Sequence, residues 1–468
     1  MSEPIRFDSD GNIILKVNWK RMFKLLIIIL LAVTAYNLPI DGLTDASRIS
    51  FMIFVGAAGL WVTEAIPPFA TGIMVIVLNV YLLGRPDSPI EAAGDASTYQ
   101  IFINPIASPV LILFFGGFIL ASAATKHGLD VRLAKAFIKP FGTHPSMVLL
   151  GVISTTALFS MFMSNTATTA MMIAILHPLF DHFEGRTPFR RALVLSVPFA
   201  ANIGGIGTII GTPPNAVAAS LLTKLGYGIS FVKWMIYAVP LVIVLELMLW
   251  ILLLIIFNPR KEKFEILFPE SLEVTWDLVI VVITFAATVL LWLTEPLHNI
   301  PSPVTALLPI MIFTVFGIID RNDIKKLDWD VIILVAGGLA LGVSMTSTRL
   351  TDVFVAQITQ LQLSPYLILG VFVIISITLS NFMSNTAASN LIIPIIITIG
   401  IVSPVIGAIG VAFACSLAMS LPVSTPPNAI AFATREITTN ELAKYGTLIS
   451  IIGIVFVMIL LKILEAFL

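Results

Sequence analysis

Apolar runs of roughly 17–25 residues recur along the whole chain, and a run of that length can cross a bilayer as a helix. They predict spans at 22–40, 50–66, 67–84, 109–126, 191–223, 231–257, 277–297, 302–319, 330–347, 404–434 and 445–467, eleven full crossings in all. Two further stretches, 145–182 and 364–400, read differently. In each, two short apolar arms flank a polar Ser-Asn-Thr centre, the pattern of a re-entrant hairpin that enters and leaves on one side. The fold class expected is therefore an all-α polytopic membrane protein with two re-entrant helical hairpins.

Composition agrees. Of 468 residues, 58% are hydrophobic and 11% charged, whereas soluble proteins carry about 25% charged residues. Mean hydropathy is +1.01. A net charge of −1 gives no reason to expect a nucleic-acid partner. The lone cysteine, Cys415, makes an internal disulfide impossible and reads as a small packed side chain. The polar, basic stretch 1–24 followed by apolar 25–36 reads as an uncleaved first helix. With the N-terminus in the cytoplasm, all of the 26 Lys and Arg except Arg48, Arg85, Lys224, Lys233, Arg349 and Lys462 fall on inside segments. This positive-inside bias sets the orientation and leaves the C-terminus outside the cell membrane. Lys224 and Lys233 are expected to snorkel at the outer interface.

Four landmarks occur twice in the same order. Trp61-Val-Thr-Glu64 returns as Trp292-Leu-Thr-Glu295, Gly116-Gly117 as Gly337-Gly338, Ser164-Asn165-Thr166 as Ser384-Asn385-Thr386, and Thr212-Pro213-Pro214-Asn215 as Thr425-Pro426-Pro427-Asn428. The division that follows is a first membrane helix within 1–49, a first repeat 50–257, a cytoplasmic linker 258–276 and a second repeat 277–468. Five full crossings in each repeat would turn the second copy upside down. Inverted repeats with interrupted helices are characteristic of secondary transporters, with the site near the midplane where the copies meet.

Polar backbone at membrane depth is tolerated only inside protein or along a wet cavity. Pro-Pro breaks the helical hydrogen-bond ladder, and Gly204, Gly205, Gly207 and Gly211 before the first Thr-Pro-Pro-Asn let the backbone unwind. A broken helix offers free N–H groups that favour anions and free carbonyls that favour a hard cation. Asn165, Thr166, Asn385 and Thr386 supply neutral donors, and no Lys or Arg lies in any of the four motifs. The arrangement suits a dicarboxylate held at both ends, with bound sodium supplying the positive charge.

These residues resemble the divalent anion/sodium symporter family of di- and tricarboxylate carriers. The resemblance covers nearly the whole chain and rests on Ser160-Met-Phe-Met-Ser-Asn-Thr-Ala-Thr168, Gly211-Thr-Pro-Pro-Asn215, Ser384-Asn-Thr386 and Thr425-Pro-Pro-Asn428. It implies a homodimer in membrane lipid whose transport domains move as elevators, with interfacial helices near 127–143 and 348–363. It also implies substrate contacts at Asn165, Thr166, Thr212, Pro213, Ser384, Asn385, Thr386 and Pro426. One sodium would sit near Ser160, Ser164, Asn165 and Gly211, and a second near Ser380, Met383, Asn385 and Ser424. No organic cofactor is implied. The chain departs from the family at Ser380-Asn381, where sodium-coupled relatives often read Thr-Glu. That departure keeps sodium-independent exchange open beside symport, and an inorganic oxyanion such as sulfate remains a rival substrate.

Other residues read as structural. Gly116-Gly117 and Gly337-Gly338 look like helix-packing notches. Glu64 and Glu295 sit at helix ends beside proline-rich turns, as structural or proton-carrying groups. His177 and His182 are five apart and share no helix face, so they make no metal site. No cluster of nucleophile, base or metal ligands lies at membrane depth, which argues against an enzyme, and paired broken helices argue against a channel.

Overall fold

The computed structural model describes residues 6–7, 13–14, 18–85, 90, 98–180, 187–258, 273–360, 362–400 and 402–466. His182 and most of the linker 258–276 lie outside the described residues. Helices dominate. The one departure from an all-helical chain among the described residues is a two-residue antiparallel ladder, Arg6–Phe7 against Ile13–Ile14.

Among the described residues, nine helices of eight residues or more come after α1 (Trp19–Asn37): α2 (Asp45–Thr63), α3 (Pro68–Leu83), α4 (Pro109–Lys126), α5 (Leu129–Ile138), α6 (Pro145–Ser160), α7 (Asn165–Phe180), α8 (Pro188–Gly205), α9 (Pro213–Lys224) and α10 (Phe231–Phe257). Nine more follow beyond the linker: α11 (Trp276–Leu293), α12 (Ser302–Val315), α13 (Trp329–Ser347), α14 (Leu350–Thr359), α15 (Pro365–Ser380), α16 (Asn385–Ile399), α17 (Pro404–Ser416), α18 (Pro426–Ala433) and α19 (Thr439–Glu465). Each landmark pair falls on matching helices in the two series.

The chain writes its own helix starts. Proline stands in the first turn of α3, α4, α6, α8, α9, α15, α17 and α18, where its missing N–H would have had no partner. Other helices start at hydroxyl caps: Thr44, Ser230, Thr275 and Thr438 each accept a backbone N–H three residues on. The short helices α5 and α14 both follow a left-handed residue, Gly128 at φ 67° and Arg349 at φ 56°. They lie within the two stretches expected to be interfacial.

Among the described residues six helices are long and apolar enough to cross a bilayer: α2, α4 with the turns before it, α10, α11, α13 and α19. The runs 191–223 and 404–434 are not single helices. Each breaks before its Thr-Pro-Pro-Asn, into α8 and α9 and into α17 and α18. The hairpin arms α6 and α7 have 16 residues each, about 24 Å at 1.5 Å per residue, against a hydrocarbon core of about 30 Å.

Helix α19 carries the exposed apolar stripe Ile451, Val455, Ile459 and Ile463, one residue per turn on a single face. Only Ile28 and Ala35 of α1 are buried. Such surfaces need lipid or another protein against them. The glycine pairs sit at close packing contacts, and the first glycine of each pair packs across the two series. A Cβ on Gly116 would stand 2.4 Å from the Ala306 carbonyl, and one on Gly337 would stand 2.2 Å from Gly72 Cα. Each series thus presses its α4-type helix against the α3-type element of the other.

Candidate substrate and cation site

Helices α6 and α7 meet at Ser164-Asn165-Thr166, and α15 and α16 at Ser384-Asn385-Thr386. The tip serines cap the return arms: Ser164 Oγ accepts from Ala167 N and Ser384 Oγ from Ala387 N, both at 3.2 Å. Beneath each tip lies a fully buried serine with the same pair of partners. Ser160 Oγ is 2.5 Å from the Asn165 side chain and donates to the Ala201 carbonyl at 2.7 Å. Ser380 Oγ is 2.7 Å from Asn385 Oδ1 and 2.9 Å from the Cys415 carbonyl.

The unwound segments are held by the last residue of each Thr-Pro-Pro-Asn. Asn215 Nδ2 donates to the Gly205, Ile206 and Thr208 carbonyls at 3.0, 3.2 and 2.7 Å. Asn428 Nδ2 reaches the Met419 and Leu421 carbonyls at 2.9 and 3.0 Å. The first unwound segment is also tied to its tip, because Thr208 Oγ1 donates to the Met161 carbonyl. In the second half Asn381 does this work, accepting from Ser420 N at 2.9 Å.

Both tips and both breaks border one cavity of about 1040 Å³. Its lining includes Asn165, Thr166, Thr212, Pro213, Ser384, Asn385, Thr386 and Pro426, every residue expected to meet a substrate. It also includes Ser164, Gly211 and Ser424 from the expected cation sets. Ser160, Ser380 and Met383 lie outside the lining, buried below the tips. The Ser424 hydroxyl donates its hydrogen to the Leu421 carbonyl at 2.7 Å, and its oxygen lies 3.3 Å from Asn428 Nδ2.

Four helix N-termini therefore border the cavity, at Asn165, Pro213, Asn385 and Pro426. The tip helices open with the N–H groups of Asn165, Thr166, Asn385 and Thr386, whereas the two Pro-Pro starts have no N–H at their first two positions and bring the positive end of a helix dipole. The tips and breaks themselves present neutral polar groups and helix N-termini to the cavity, an arrangement that can hold an anion. Oxygen atoms converge just below the first tip. The outer atom of the Asn165 amide that faces Ser160 also lies 3.2 Å from both the Ala201 and Gly211 carbonyl oxygens, a donor set suited to a hard cation.

The family-model comparison now decides the class. The model described as citrate transporter matches residues 58–401 and 289–466. The chain belongs to this transporter family. The resemblance read from the four motifs is upheld, and the protein is a multi-pass membrane transporter rather than an enzyme. It is 31% identical over 459 residues to the sodium-dependent dicarboxylate transporter SdcS of Staphylococcus saprophyticus, covering 90% of this chain and 86% of that protein. With SdcS of Staphylococcus aureus strain USA300 it shares 31% identity over 439 residues, 85% and 82% of the two chains. The inorganic phosphate transporter PHO87 of Saccharomyces cerevisiae is 29% identical over 370 residues, 78% of this chain and 39% of that protein. Among solved structures, the Alcanivorax borkumensis YdaH transporter superposes with a TM-score of 0.58 at 12% identity, over 86% of this chain and 98% of that one. Neisseria gonorrhoeae MtrF gives 0.54 at 12% identity, over 86% and 96%. At that identity the likeness speaks for the fold alone.

The transporter's cavity holds features that motif reading missed. Asn202, 1% exposed in α8, borders it between the halves. An Asn in an otherwise apolar run was a signal, but nothing in the run says what it faces. The cavity is also lined by Glu64, Lys126, Asp323, Lys326, Asp328 and Asp330. Lys126 Nζ lies 2.5 Å from Asp323 Oδ2 and 3.8 Å from Asp320 Oδ2. Burial raises the Asp323 pKa, but the Asp320 N–H and the Lys126 ammonium outweigh it and leave the group below its ordinary value. Burial and then the neighbouring Asp330 charge push Asp328 upward. Glu295 accepts from Ser302 Oγ and is tied into its turn, whereas Glu64 borders the cavity.

Proposed function

We propose that this transporter carries di- and tricarboxylate anions such as succinate, malate, fumarate, 2-oxoglutarate or citrate by sodium-coupled symport. The observation that carries the reading is the facing pair of Ser-Asn-Thr tips with four helix N-termini around one cavity. A dicarboxylate bridges such a pair, one carboxylate to each tip. Asn165, Thr166, Thr212 and Pro213 hold one end, and Ser384, Asn385, Thr386 and Pro426 the other. One sodium lies among Ser160, Ser164, Asn165 and Gly211, and a second among Ser380, Met383, Asn385 and Ser424. No Lys or Arg lies in the tips or breaks themselves, so a dianion there is held well only with its cations, and that requirement couples the two. The naming of the SdcS relatives supports both substrate class and ion.

In this reading the units 50–257 and 277–468 are inverted repeats, with the N-terminus cytoplasmic and the C-terminus outside the cell membrane. The protein works as a homodimer in which the hairpin-bearing domain moves as an elevator. Two rival readings have their own support. Asn381, where relatives often carry a carboxylate, favours sodium-independent exchange, and the PHO87 relative favours an inorganic oxyanion.

Uptake of labelled succinate into proteoliposomes separates them, with sodium or choline outside and vesicles empty or preloaded. Sodium-dependent uptake into empty vesicles is expected. Uptake that ignores sodium but needs preloading makes the protein an exchanger. Failure under all conditions, with phosphate or sulfate accumulating instead, removes carboxylates as substrates.

A further inference from the structure

The Asn165 amide can stand in two orientations, and they differ in what they offer the cavity. In one, Nδ2 turns inward and donates to the Ala201 and Gly211 carbonyls at 3.2 Å and to Ser160 Oγ at 2.5 Å. In the other, Oδ1 faces those oxygens, Ser160 Oγ donates to it at 2.5 Å, and Nδ2 points at Asn202 Oδ1, 3.5 Å away. Neighbours decide which way an amide points. With nothing among the inner oxygens, Nδ2 turns in, because the Ala201 and Gly211 carbonyl oxygens facing Oδ1 repel it and would accept from Nδ2 instead. A sodium ion among them reverses the preference, drawing Oδ1 inward and turning Nδ2 out.

The outward orientation needs an acceptor, and Asn202 supplies it. Asn202 is itself fixed, because its Nδ2 donates to Thr425 Oγ1 at 3.2 Å, across the two halves. If Nδ2 of Asn165 turns in, its Oδ1 confronts Asn202 Oδ1, and two acceptors face each other. The second half has no such device. Ser416 follows Cys415 as Asn202 follows Ala201, yet its hydroxyl bonds back to the Ala412 carbonyl of its own helix at 3.1 Å.

We infer that Asn202 is a positioning residue for the first cation: it holds the Asn165 amide with oxygen toward sodium and nitrogen toward the substrate cavity, so that sodium presents a hydrogen-bond donor to the carboxylate and links that tip to Thr425. This rests on the sodium-coupled reading above. It gives that reading a physical origin in one side chain, since the donor the anion needs is turned out only when the cation is bound.

The test is sodium-induced thermal stabilisation of purified protein without substrate, followed by succinate binding at fixed sodium. Ligand that binds only the folded state raises Tm according to its affinity. In Asn202→Ala the sodium concentration giving half of the Tm rise should increase about ten-fold, as for loss of an outer-shell partner of a metal ligand. Succinate affinity should recover once sodium is raised to saturation. Asn202→Ser, copying the second half, should behave alike and guards against a folding defect. Ser416→Ala should leave both readouts unchanged. A shift in Tm without sodium, with an unmoved half-point, makes Asn202 a merely structural residue and overturns the inference alone. Wild-type protein whose Tm and succinate affinity ignore sodium overturns the symport reading and the inference with it.

Discussion

Asn215 Nδ2 donates to the Thr208 carbonyl at 2.7 Å, seven residues back along the chain. Asn428 makes the corresponding bond to Leu421, also seven residues back, at 3.0 Å. The amide at the end of each Thr-Pro-Pro-Asn thus closes the loop that Pro-Pro opened. Its donor replaces N–H groups that an intact helix would have aimed at those carbonyls. Removing it leaves buried acceptors unmet at about 1–3 kcal/mol. Asn215→Ala and Asn428→Ala should each lower Tm in detergent by several degrees and abolish uptake, whereas Asn→Asp should keep the shape and still lose the donor. Normal uptake by either alanine variant would remove these residues from the frame of the site.

Steric room separates the glycine pairs. A Cβ on Gly338 would stand 1.9 Å from Asn390 Cγ, while one on Gly117 meets Ile210 Cδ1 at 3.3 Å. Asn390 cannot withdraw cheaply, because it donates to the Leu334 carbonyl at 3.0 Å in a fully buried position. Gly338→Ala should sharply reduce folded yield, and Gly117→Ala should be tolerated with a small Tm change. Size-exclusion profiles and Tm of the two variants check the contrast.

Arg190 Nη2 lies 2.5 Å from Glu436 Oε1, and both side chains are mostly buried. The pair joins the start of α8 to the turn after α18, the second half's Pro-Pro helix. Removing one partner of a buried pair costs up to about 3–5 kcal/mol. Glu436→Gln should therefore cost more stability than Lys462→Gln, whose partner Glu465 is far more exposed. The double exchange Arg190→Glu with Glu436→Arg should recover part of the loss. Tm values of the three variants decide it.

Burial is the largest influence on Asp130, in α5, and raises its pKa above the ordinary 3.8 despite hydrogen bonds from Val131 N–H and Thr125. The folded state then holds this proton more tightly than the unfolded chain. The contribution to stability is full below 3.8 and is lost as pH rises through the higher folded value. Asp130→Asn should remove this part of the pH dependence and raise Tm at neutral pH. A Tm–pH profile identical to wild type would show that Asp130 is not held protonated in the fold.

Membrane class, helix starts, tips and breaks were all legible in the sequence, for a local reason. A run of apolar side chains, a Pro-Pro pair or a glycine cluster acts on backbone within a turn or two of itself. The Ser-Asn-Thr and Thr-Pro-Pro-Asn motifs were recognisable because polar, ladder-breaking residues at such depth have few uses besides a site. Hydrophobicity alone runs on through 191–223, and it was the glycines and Pro-Pro that marked the seven-residue break between Gly205 and Pro213.

What tertiary structure alone decided is which distant residues answer each other. Asn202 and Thr425 are 223 positions apart, and Arg190 and Glu436 are 246 apart. No residue carries a local mark of its partner, because a hydrogen bond or ion pair depends on where two helices are brought together and not on the residues beside it. The same holds for Gly116 against Ala306 and Gly337 against Gly72, where close approach is a property of two backbones. Residue type alone was enough to say that this chain builds anion- and cation-favouring helix ends. The packing of one half on the other turned those ends toward a single cavity.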